Sequence, residues 1–114
     1  MSEGNIFSRE SARAALNGIL KVIDQAENVT RIREARENAG NDMIKRMQYV
    51  FPIVMMLQMD VIKEYGFSEG RHGIIQFTQL VRTLEREDPE IAQLHSRVRA
   101  HFLPEIPSSS GASL

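Results

Sequence analysis

YVFPIVMMLQMDVIKEYGF, residues 49–67, is the stretch whose reading decides the fold. It is the most apolar segment of the chain, yet it holds three methionines and an internal proline. Apolar residues recur three and four apart on both sides of Pro52, which is helical spacing. Upstream the same stripe runs through Val29, Ile32, Ala35, Ala39, Met43, Met47 and Val50, and it continues through Val54, Leu57 and Val61. Ile44, Phe51, Met55 and Ile62 add a second stripe beyond Met43. A helix apolar on most sides must be covered by several neighbours, so this segment reads as the central helix of a bundle. Pro52 has no N–H to give the carbonyl of Gln48, and its ring crowds that turn. An unbroken helix over residues 29–65 would run about 55 Å at about 1.5 Å per residue, too long for so small a domain. The spacing therefore predicts a long second helix, kinked or split near Pro52.

Three other helices follow from the same pattern. Ala12, Ala15, Leu16, Ile19, Val22, Ile23 and Ala26 mark the first, beginning near Ser8 and ending or recapping at Asn28. Gly66 reads as a left-handed stop, with Phe67 as its hydrophobic contact and Ser68 as the next N-cap. Ile74, Phe77, Leu80, Val81 and Leu84 mark the third helix. Asp88, Pro89 and Glu90 supply a cap, a first-turn proline and a favourable charge for the fourth. Ile91, Leu94, Val98 and Phe102 form its stripe, and Pro104 stops it. The expected fold is all-α, a compact bundle of four main helices. Residues 1–104 are its single domain, and residues 105–114 are a disordered Pro/Ser/Gly tail.

Composition narrows the function. The 114 residues carry 14 Lys+Arg and 15 Asp+Glu, a net charge of −1, so no cationic excess points to nucleic acid. Cysteine is absent, which removes disulfides, thiolate metal sites and cysteine nucleophiles. MSEGNIFSRE is too polar for a signal peptide, and VFPIVMML, the longest apolar run, falls far short of the roughly 20 residues of a membrane span. A soluble cytoplasmic protein is expected, with no membrane partner. His72, His95 and His101 show no metal-ligand spacing, and no GxSxG or phosphate-loop motif occurs. Neither an enzyme nor a cofactor is expected.

What remains is binding. In RIREARENAGND, residues 31–42, Arg33, Glu37 and Asn41 stack at i,i+4, as do Glu34, Asn38 and Asp42. Asparagines are mediocre helix formers, so their presence suggests hydrogen bonds to a neighbour or partner. Glu34, Arg36, Glu37, Asn38, Asn41 and Asp42 form the expected surface for an unidentified protein partner. Met43, Met47, Met55, Met56 and Met59 fit core filling first, although Met56 and Met59 leave the main stripe and with Phe51 would make an exposed patch. The expectation is a non-enzymatic interaction protein, an adaptor or small complex subunit. The alternative is a self-associating structural protein whose Met-rich helix is a homodimer seam.

EARENAGNDM (34–43), VIKEYGF (61–67), DPEIA (88–92) and FLPEIP (102–107), in this order and spacing, resemble the eukaryotic protein C-ten family over residues 27–107. The resemblance implies a small cytoplasmic protein without an established enzymatic activity. It also implies a developmental role, which in vertebrates concerns the brain and the corpus callosum.

Overall fold

The computed structural model describes residues 7–102. Six α-helical segments follow one another: α1 (Arg9–Ile23), α2 (Ala26–Ala39), α3 (Met43–Tyr49), α4 (Phe51–Ile62), α5 (Arg71–Glu85) and α6 (Pro89–Ala100). A 3₁₀ turn, Lys63–Tyr65, extends α4. Among the described residues there is no strand, so the all-α class holds. Pro104 and the expected tail lie outside the described residues.

The long second helix does not hold. It breaks at Gly40, whose φ of 61° leaves the helical region, and the Asp42 side chain restarts the chain as an N-cap by accepting from Ile44 and Lys45 N–H at 2.9 and 3.2 Å. The periodic stripe runs straight through this break, but a positive φ at glycine and a capping aspartate outweigh it locally. α3 and α4 stay joined. Val50 keeps a helical backbone and Pro52 sits in the first turn of α4, so together they make one bent rod. The described residues thus form five rods, where the spacing predicted four.

α1 is the hub on one side. The Ser8 hydroxyl caps it by accepting from Ser11 N–H at 3.1 Å, and Ala12, Ala15, Leu16, Ile19, Leu20 and Ile23 are buried against α4 and α6. The Asn28 amide donates to the Val22 carbonyl at 2.8 Å, tying the corner between α1 and α2. Leu16, Ile19, Ile23, Val54, Ile62, Phe77, Val81, Ile91 and Val98 are sealed from water; burying each such side chain stabilises by about 1.5–3 kcal/mol.

The turn after α4 is a Schellman stop. Gly66 lies at φ 94°, its N–H donates to the Lys63 carbonyl at 3.2 Å, and Phe67 N–H donates to the Ile62 carbonyl at 3.4 Å. Phe67 then meets Phe7 and Phe77 edge to face, with centroids 5.1 and 5.5 Å away. α5 starts later than Ser68, at Arg71, because Gly70 (φ 82°) turns the chain and the Ser68 carbonyl packs on Gly73. Leu80, expected on the α5 stripe, faces solvent. At α6 the expected cap is present: Asp88 Oδ1 accepts from Glu90 and Ile91 N–H at 3.0 and 3.3 Å.

Candidate functional site

α4 and α6 both pack on α5 but scarcely on each other, and the space between them is an open cleft of about 890 Å³. That is within the range of binding sites rather than of packing defects. α4 turns Phe51, Met55, Gln58 and Met59 toward it, residues that share one helix face. α5 supplies the floor, with Ile74, Ile75 and Thr78 between Arg71 and Arg82. α6 contributes His95, Val98 and Arg99, and the turn after it Phe102. Phe51 and Phe102 meet edge to face at 5.1 Å and bridge the two walls.

Gln58 is the anomaly of this lining. It is 3% exposed, and among the described residues its amide reaches only the Met55 thioether at 3.9 Å, a weak acceptor. Buried amides ordinarily find a strong partner, in the protein or in ordered water.

The other polar group is a triad. His95 Nδ1 lies 3.0 Å from Glu85 Oε1 and 3.1 Å from Arg99 Nη1. Burial lowers the His95 pKa below the usual 6.5; the Glu85 hydrogen bond opposes that shift, and the charges of Arg99 and Arg82 add to it. The neutral ring therefore carries its proton on Nδ1 and donates to Glu85. A protonated Nδ1 has no lone pair for Arg99, whose guanidinium stands beside the ring without another hydrogen-bond acceptor among the described residues. Among the described residues neither Arg71, Arg82 nor Arg99 forms an ion pair with a carboxylate. Glu85 is the one carboxylate on the cleft wall, and His95 occupies it.

The six residues expected to bind a partner are divided by the structure. Glu34, Glu37, Asn38 and Asn41 are exposed on α2 and the turn that follows it. Arg36 instead reaches across to the end of α6, donating to the carbonyls of His101 at 2.9 Å and Ala100 at 3.4 Å. Asp42 caps α3. These two side chains hold the fold. No i,i+4 ion pair joins Arg33 to Glu37 among the described residues.

The methionines divide as well. Met55 and Met59 are half-buried on the cleft wall, and Met56 is exposed. α3 buries no side chain at all: Met43 is 60% and Ile44 70% exposed, with Met47 and Tyr49 also open to solvent. Core filling, expected of the methionines, therefore fails on α3 because the break at Gly40 turns that helix outward. Sequence reading missed the cleft. Its one signal was Gln58, a lone amide in a segment otherwise built to be buried.

A family model described as Protein C10 matches residues 8–114. The chain belongs to the Protein C10 family. Curated relatives named Protein C10 include the Bos taurus protein, 40% identical over 93% of this chain and 85% of its own length. The Homo sapiens Protein C10 is 43% identical over 86% of this chain and 78% of its own, and the Danio rerio Protein C10 is 39% identical over 85% and 80%. No solved structure matches. Among the described residues no helix is long and apolar enough to cross a membrane.

Proposed function

We propose that this member of the Protein C10 family is a non-enzymatic interaction protein, an adaptor or small complex subunit, that seats an apolar segment of a partner protein in the cleft between α4, α5 and α6. One observation carries this reading. A wall of Phe51, Met55, Met59, Ile74 and Phe102 stands open beside the nearly buried Gln58, whose amide has only a thioether for a partner. Methionine walls adapt to varied apolar guests.

Methyl NMR of methionine-labelled protein tests the proposal. Titration with an amphipathic helical peptide should move the Met55 and Met59 methyl signals and leave Met43 and Met47 in place. Shifts confined to Met43 and Met47 would relocate docking to α3 and overturn this reading.

The exposed face of α3 favours a second reading, self-association through Met43, Ile44 and Met47. A helix of seven residues spans only about 10 Å, whereas a stable interface buries roughly 1,200–2,000 Å² in total. This reading therefore needs further surface. The polar residues Glu34, Glu37, Asn38 and Asn41 lie just upstream in sequence and would supply part of it. Sedimentation of the wild type and of Ile44→Lys decides: a monomer in both cases removes this reading.

A further inference from the structure

We infer that the segment taken by the cleft is an acidic-ended amphipathic helix, with an apolar stripe flanked by carboxylates about three turns apart. The inference rests on the docking reading above and adds to it the chemistry of the guest.

Charge is the first argument. Arg71 lies at one end of the α5 floor and Arg82 lies eleven residues later, with Arg99 contributed by α6. Eleven residues of helix span about 16 Å, or three turns. None of these arginines has a carboxylate partner among the described residues, and Glu85 is already taken by His95. The cleft is thus mostly apolar along its length, with Arg71 at one end and, at the other, Arg82 and Arg99 against the single carboxylate of Glu85, which leaves an excess of positive charge at both ends. An apolar guest without acids would bring other groups beside those cations without neutralising them. A guest with a carboxylate at each end of its stripe completes them, and bidentate carboxylate recognition is what guanidinium geometry serves best.

Gln58 is the second argument, and it is independent of charge. Its amide is nearly sealed from water, lines the cleft and lacks a strong partner. A helix satisfies its own backbone, so the group Gln58 meets is a polar side chain set into the guest's stripe. The guest therefore reads as a helix with apolar residues at i, i+3, i+4 and i+7, one hydroxyl or amide among them, and acids outside them. Side chains rather than an extended backbone carry that recognition.

The test uses three labelled helical peptides of about 14 residues sharing one leucine stripe, ending in Glu, Gln or Lys at sites eleven apart, and fluorescence anisotropy. The Glu peptide should bind about tenfold more tightly than the Lys peptide, with Gln between them, two solvent-facing pairs being switched from attraction to repulsion. The gap should narrow as salt rises above about 0.15 M. In the chain carrying Arg71→Glu and Arg82→Glu, both exposed positions, the order should invert while the helical circular dichroism stays unchanged. Equal binding of all three peptides would keep the docking reading and overturn the acidic guest. If no peptide binds, the docking reading falls as well. Arginine-dependent binding of phosphatidylserine vesicles in place of peptide would assign these cations to a lipid surface and overturn the proposal.

Discussion

Replacing Asp88 should destabilise the fold more than the loss of a helix cap alone would. The carboxylate has two jobs, one for each oxygen. Oδ1 accepts from Glu90 and Ile91 N–H, and Oδ2 accepts from Arg13 Nη1 at 2.6 Å, joining the start of α6 to α1. The Asp88 side chain is 10% exposed and that of Arg13 30%, so water screens this pair only in part. Losing the cap costs about 1 kcal/mol. Losing a charge-assisted hydrogen bond costs roughly 1.5–3 kcal/mol, and partial access of water to Arg13 argues for the lower half. Asp88→Ala should therefore cost about 2–4 kcal/mol, a large share of a total of roughly 5–15. At about 4–8 °C per kcal/mol, Tm should fall by at least about 8 °C. Asp88→Asn keeps an acceptor for the cap, removes the charge, and should cost about half as much. Urea unfolding of Asp88→Ala, Arg13→Gln and the double variant closes a cycle whose coupling should be about 1–2 kcal/mol. If the single effects add to within about 0.5 kcal/mol, the ion pair contributes nothing and the reasoning fails.

Gly73→Ala should cost about 1–3 kcal/mol despite alanine's better helix propensity. A Cβ there would collide with the Ser68 carbonyl oxygen and stand 2.9 Å from its carbon, and a variant melting at or above the wild-type temperature would show that this turn yields freely. Burial holds the pKa of both His95 and His101 below 6.5. The unfolded chain therefore takes up these protons first, and stability should decline as pH falls from about 6.5 through the lower folded values. His95→Gln should flatten that decline in urea midpoints measured between about pH 7 and 5; stability that rises on acidification would contradict it. Gln58→Leu removes an amide with no strong partner, so the free protein should gain up to about 1 kcal/mol while its affinity for a cleft peptide drops. A clear loss of stability instead would mean that the amide is well satisfied in the fold.

The class of fold and most helix ends were legible from local chemistry. Asp88 with Pro89, Gly66 with Phe67, and Ser8 act within one turn of themselves, and each stands where its type predicts. The break at Gly40 was legible too, in a glycine followed by Asn41 and Asp42, but an unbroken apolar stripe outvoted it. Periodicity records which residues are apolar and not whether the backbone between them stays helical. The surface expected to meet a partner is only partly free of structural duties. Arg36 and Asp42 belong to hydrogen bonds whose partners are set by tertiary structure or by the break itself, while Glu34, Glu37, Asn38 and Asn41 stay open. Of the cleft the sequence offered only Gln58, because the space itself exists only through the way α4 and α6 pack on α5.

The position of α1 has a consequence during synthesis. Its apolar face closes on α4 and on α6, so the last of its cover is about 75 residues downstream. At roughly 5–20 residues per second, a translating ribosome needs about 4–15 s to make that stretch. Leu16, Ile19 and Ile23 spend those seconds without their full set of neighbours, because the cover from α4 comes first and that from α6 only at the end.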